Sequence, residues 1–306
     1  MAGVGTSETF KSPPIPPFSK GGVKVSLCKG GFEWLDYTNK QWKESSPMPY
    51  LMNNTGFIYT LETALKLLLE FQVIFIGEEH LSKESHDAEL AVLTGLVGHD
   101  PNLVLALEMF ERDIQPLLDD YLKGAVSEEQ FLEGSRPWPN YPEDYRPLVE
   151  LAKTKGLPVI AANVPRRAAA AVAKANRLSR RVMGPDGIYL PPERPHDSKK
   201  YQRLFMATVA GMSSMGTMGQ ISPQGLYKGQ LVKDAVMAQA LEPFLGRRVL
   251  FCCGHFHSDY FLGIPYQLRK KHPDLKISVI AMGSAVDNLP MRERSRIADF
   301  FWVPDE

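Results

Sequence analysis

Residues 60–100, TLETALKLLLEFQVIFIGEEHLSKESHDAELAVLTGLVGHD, decide the fold. TLETALKLLLEF (60–71) spaces its apolar residues at helical intervals, and SHDAELAVLTGLVGHD (85–100) reads as a second, amphipathic helix. Between them VIFIG (73–77) is continuously apolar and only five residues long, the signature of a strand buried on both faces. A doubly buried strand flanked by helices is the unit of a parallel sheet.

The same grammar repeats along the chain. NLVLALEMF (102–110) reads as a strand, followed by helical RDIQPLLDDYLKG, SEEQFLEG and YRPLVELAKTKG, the strand LPVIAAN (157–163), and the helix RRAAAAVAKANRLSRRV (166–182). LYKGQLVKDAVMAQALEPFL (226–245) is helical, RVLFCCG (248–254) and ISVIAMG (277–283) are strands, and ADFFWV (298–303) is a last short one. The fold class is therefore α/β, a mostly parallel central sheet with helices on both faces. Residues 183–224, with MGPDGIYLPPERPHDSKK and then a segment containing Met206, Met212, Met215 and Met218, interrupt the pattern and read as a lid or an insertion. Residues 1–50 read as an N-terminal extension: a Pro-rich arm with Pro13, Pro14, Pro16 and Pro17, then a hairpin over 23–42 about Gly30-Gly31. Residues 51–306 form the α/β domain.

Composition excludes several classes. Lys+Arg and Asp+Glu balance at 35 each, and basic runs stop at the triplet Arg269-Lys270-Lys271, so nucleic acid is not an expected partner. The longest apolar segments, 65–76 and 103–109, fall short of the roughly 18 to 20 residues of a transmembrane helix. The first 22 residues lack a secretory signal and a cysteine placed for acylation. Cys252 and Cys253 are adjacent in a strand and point to opposite faces, so no disulfide joins them. A soluble protein of a reducing compartment is expected, inside an organelle such as a chloroplast or mitochondrion or peripheral to its membrane.

In an open parallel sheet, ligands gather beyond the carboxyl ends of the strands. VIFIG is followed by Glu78, Glu79 and His80, with His86 six residues on; LVLAL by Glu108, Met109, Phe110 and Glu111. LPVIAA is followed by Asn163, Pro165, Arg166 and Arg167, and VLFCC by Gly254, His255, Phe256 and His257. Four apolar strands that all end in polar residues argue for one composite site. His80, Glu108, His255 and His257 offer the donors of a divalent metal, although no HExxH motif is present. Glu78 or Glu108 beside His255 would equally serve general acid/base catalysis. If the chain turns at Gly254, His255 points inward and His257 supports it; if the strand persists, both share one face. No GxSxG, P-loop or GxGxxG follows a strand.

GEEHLSKESH (77–86), LALEMFERDIQPLLDDYLKG (105–124), DYRPLVELAKTKGLPVIAANVPR (144–166) and LYKGQLVKDAVMAQAL (226–241) resemble the haem-binding ChaN family of the haem-binding uptake/Tiki superfamily, over roughly residues 56–303. The resemblance implies non-covalent haem held between two protomers with a tyrosine as axial iron ligand. By its place at the start of the helix before the GHxH strand, the matching tyrosine is Tyr227. His80, His86, Arg166 and Met109 would then wall the haem. Tyr227, Leu231 and Ala235 fall on one helical stripe, which places the ring at the border of an apolar face. Three functions fit: haem handling, as a homodimer; an accessory subunit of a larger assembly, with the N-terminal arm as docking strap; and a metal-dependent hydrolase resembling the Tiki branch, the one enzymatic alternative.

Overall fold

The computed structural model describes residues 50–213, 221–282 and 289–303. The arm, the hairpin over 23–42 and Cys28 lie outside the described residues, as do Met215, Met218 and the side chain of Met212.

The described residues build a sheet of eight strands: β1 (Tyr50–Asn53), β2 (Ile58–Thr60), β3 (Val73–Glu78), β4 (Val104–Glu111), β5 (Val159–Asn163), β6 (Val249–Gly254), β7 (Ile277–Met282) and β8 (Phe300–Val303). Their order is β2-β1-β8-β7-β3-β6-β4-β5. The six strands from β8 to β5 are parallel, and β1 and β2 add an antiparallel edge. The sequence does not announce that edge: its strands have only three and four residues, too few to set a period. The helices are α1 (Leu61–Leu68), α2 (Lys83–His99), α3 (Gln115–Leu122), α4 (Glu128–Ser135), α5 (Arg146–Lys155), α6 (Arg166–Ala175), α7 (Arg180–Met183), α8 (Lys199–Ser213), α9 (Pro223–Leu241), α10 (Ile264–Lys271) and α11 (Met291–Arg294). Helix α8 occupies the segment that the sequence leaves as a lid or insertion.

Alternation along the strands feeds two cores. Ile74, Ile76, Leu105, Leu107, Leu250 and Cys252 pack with helices α1, α2 and α5, while Val73, Phe75, Val104, Ala106, Phe251 and Cys253 pack with α9 and α10. Each fully buried aliphatic or aromatic side chain contributes roughly 1.5–3 kcal/mol, so the central strands are strongly held. Cys252 and Cys253 lie in opposite cores as free thiols, and burial pushes both thiols up from their ordinary range.

Two local features position the site. Strand β3 leads into α2 on one face of the sheet, whereas its neighbour β6 leads into α10 on the other, so the crevice between their carboxyl ends is the switch point of the sheet. Helix α9 lies close against the alanine-rich α6 through Gly225 and Gly229: a methyl on Gly225 would stand 2.2 Å from the Ala173 carbonyl oxygen. Ser222 caps α9 by accepting from the Gly225 amide at 3.1 Å, with Pro223 in the first turn. The first turns of α9, with Tyr227, are thereby fixed at the switch-point end.

Candidate functional site

Glu78 is the last residue of β3 and its side chain is fully buried. Its Oε1 accepts the Tyr145 hydroxyl at 2.9 Å and faces His80 Nδ1 at 2.5 Å. The His80 ring stands edge-on to Trp138 and lies against Gly254, where a Cβ would come within 2.6 Å of its Cε1 atom. Glycine at 254 is what lets the ring approach the end of β6. His80 is the half-exposed member of the group, at 43% side-chain accessibility.

Glu108 lies where β4 slips register against β5, between Leu107 and Glu111, and such a bulge re-aims a side chain. Its Oε2 accepts the Gly254 amide at 2.8 Å and its Oε1 meets His257 Nε2 at 3.1 Å. The other imidazole nitrogen, Nδ1, meets Asp234 Oδ1 at 2.6 Å, and Asp234 Oδ2 accepts the Tyr201 hydroxyl at 2.8 Å. Glu108, His257 and Asp234 are all buried. Burial opposes charge on His257, but the carboxylates of Glu108 and Asp234 outweigh it and raise the imidazole from 6.5 to about 9. Burial likewise opposes charge on Glu108, and the His257 imidazolium overcomes it, holding Glu108 well below the usual carboxylate range. Asp234 is raised, because burial there exceeds the help from His257. His257 is thus a cation clamped between two acids.

This clamp makes stability depend on pH. A histidine whose folded value lies above its unfolded one contributes stability that is complete below about pH 6.5 and lost as pH rises through about 9, worth on the order of 3 kcal/mol. Melting temperatures recorded from pH 6 to 10 should fall between about pH 7 and 9.5, and His257→Gln should flatten that segment. An equal fall in the variant would mean that another group carries it.

The structure brings some of the sequence-predicted residues together and separates others. Glu78, His80, Glu108 and His257 converge at the ends of β3, β4 and β6. The chain does turn after Gly254, into a 3-10 turn over His255–His257, but it is His257 that turns inward. His255 instead is half-exposed and faces Asp259 at 3.4 Å, whose carboxylate raises it. Its expected place in the interior is therefore taken by His257, because the tight turn swings the second histidine beneath β6 toward Asp234. Met109, next to Glu108 near the end of β4, turns its side chain into the core with α2 and α5, and Arg166 is exposed in the first turn of α6. Tyr227 lies deeper than the border of an apolar face: it is 3% exposed among Tyr201, Phe205 and Leu262. Its hydroxyl donates to Asp197 Oδ1, and burial together with that carboxylate holds the phenol protonated.

Among the described residues, the donors that converge as a metal site would are Glu78, His86 and Glu89. The set His80, Glu108, His255 and His257 does not converge in this way, since His257 commits its two nitrogens to opposite carboxylates and His255 faces outward. Asp234, Glu89, Asp197, Tyr145 and Tyr201 were not singled out by the sequence. Asp234 and Glu89 sit inside helices, where an acidic residue reads as a solvated face, yet both are fully buried.

A mostly parallel α/β sheet with buried carboxylate and histidine side chains at its switch point defines the class: an α/β fold whose polar groups gather where open parallel sheets receive their ligands. The chain belongs to the family described as haem-binding uptake, Tiki superfamily, ChaN, whose model matches residues 64–268. The structure titled cofacial heme binding to ChaN of Campylobacter jejuni superposes with a TM-score of 0.68 at 17% identity, covering 85% of this chain and 98% of that one, so the two share the fold. The protein RETICULATA-RELATED 5, chloroplastic, of Arabidopsis thaliana is 21% identical over 252 residues. That match takes in 77% of this chain and 34% of the relative, so the chain spans about a third of the length of the curated relative it matches. Among the described residues, no helix is long and apolar enough to cross a membrane.

Proposed function

We propose that the chain binds ferric haem non-covalently at the carboxyl end of the sheet, with Tyr227 as the iron ligand. The observation that carries this is the Tyr227–Asp197 pair set in an aromatic cluster. Phenolate is a hard anionic ligand suited to ferric iron. Asp197, which accepts the hydroxyl hydrogen bond, is positioned to take the proton when the phenol ionises. Tyr201, Phe205 and Phe256, with Met206 beside them, supply the apolar, polarisable wall that a porphyrin face needs. The donor set therefore fits haem. Tyr227 is closed off by Phe205 and Tyr201, so haem enters when α8 and the Asp197 segment swing away from α9. Family membership and the fold shared with the haem-binding ChaN of Campylobacter jejuni support this function, and the chloroplastic relative supports a plastid location. Native mass spectrometry tests it: one haem retained per folded chain and released on denaturation is the expected result, and apo chain alone at excess haem refutes it.

A second function rests on the Glu78–His80 pair. Glu78 holds Nδ1 of a half-exposed imidazole, which leaves Nε2 beside Gly254 and available as a general base. Hydrolysis of activated esters or peptides by the pure chain should then fall at least about 100-fold in His80→Ala. Equal turnover in the variant and the wild type removes the enzymatic alternative.

A further inference from the structure

We propose that Glu78, His86 and Glu89 form a buried site for a single divalent transition-metal ion, separate from haem. Glu78 closes β3, and His86 and Glu89 lie three residues apart on one face of the first turns of α2. One donor atom from each lies within 4.8 Å of the others, and all three side chains are buried.

The hydrogen-bond inventory points inward. Glu78 Oε1 is occupied by Tyr145 and His80, while its Oε2 has no hydrogen-bond partner, and neither does Glu89 Oε1. His86 Nε2 faces the His80 carbonyl oxygen at 3.2 Å, with Asp144 Oδ2 at 3.4 Å on the same side. A carbonyl only accepts, so Nε2 carries a hydrogen, and in the neutral ring Nδ1 then presents its lone pair. Nδ1 looks onto Glu89 Oε2 at 3.2 Å and Glu78 Oε2 at 3.5 Å. His86 Nδ1, Glu89 Oε2 and Glu78 Oε2 thus face one another in a buried volume, an arrangement that a cation bound between them would satisfy.

Two carboxylates balance a dication, and an imidazole beside them selects zinc, manganese or iron over calcium or magnesium. The Nε2–H bond to a backbone carbonyl is the outer support that metal-bound histidines have. The competing occupant is a proton shared between the two carboxyls.

Cobalt titration of the full chain, stripped with chelator and dialysed, separates the two. The ion should bind at one equivalent with a visible d–d spectrum of nitrogen and oxygen ligands, and zinc should displace it. His86→Ala and the near-isosteric Glu89→Gln should each weaken binding by about 100-fold or more, with unchanged near-ultraviolet circular dichroism certifying the fold. His255→Ala should bind as the wild type does. If His86→Ala does not fold, Glu89→Gln decides alone. No cobalt spectrum from the folded wild-type chain overturns the site and leaves the shared proton, and so does binding that survives Glu89→Gln but is lost in His255→Ala. Because haem binding does not involve these ligands, either result leaves the haem titration intact.

Discussion

Replacing His257 with alanine should lower the melting temperature at pH 7 by about 10 °C. The imidazolium stands between Glu108, at 3.1 Å, and Asp234, at 2.6 Å, and all three side chains are buried. Removing one partner from a buried ionic network leaves uncompensated charge behind, at a cost of about 3–5 kcal/mol. For a domain of this size each kcal/mol corresponds to about 2–4 °C. The direction with pH is the same as that of the wild-type clamp but the window is lower: toward pH 5 the stranded carboxylates can take up protons, so the deficit of the variant should shrink. A cavity alone would cost much the same at both pH values. Adding Glu108→Gln to His257→Ala should restore part of the loss by removing one stranded charge, whereas additive losses would contradict the account. Thermal melts of the three proteins at pH 5 and 7 make the comparison.

Tyr227→Phe should bind ferric haem at least about tenfold more weakly than the wild type, since an iron–phenolate bond is worth well over the roughly 1.4 kcal/mol that tenfold represents. The substitution keeps the ring that packs against Tyr201 and Phe205 and removes only the hydroxyl given to Asp197, so the fold should survive. Quenching of tryptophan fluorescence on haem addition gives the two dissociation constants. The change also removes a buried hydroxyl whose acceptor, Asp197, is exposed and can turn to water, so stability should shift by less than about 1.5 kcal/mol. Equal affinities would mean that haem, if bound, uses another ligand.

Much of the fold is legible in the sequence because the parallel strands are buried on both faces. VIFIG, LVLAL, VIAA and VLFCC have no polar residue until they reach their carboxyl ends, so strand, layer and ligand end are all written in one pattern. The antiparallel edge escapes because Tyr50–Asn53 and Ile58–Thr60 are too short to show a period. The convergence of Glu78, His80, Glu108 and His257 follows from the same strand-end pattern. What a linear pattern cannot hold is the partner supplied from a helix. Asp234 and Glu89 become visible as buried acids only once α9 and α2 are docked on the sheet. Which histidine of GHFH enters the interior is likewise decided by the turn after Gly254 and by the position of Asp234, neither of which the order of residues states. Met109 shows the converse: strand β4 continues past Glu108, and Met109 goes to the helix-covered core.

The visible spectrum of the chain titrated with ferric haem tests the haem assignment most directly. A Soret band that shifts from that of free haem and saturates at one equivalent per chain is the predicted result. A spectrum that remains that of free haem throughout the titration would contradict it.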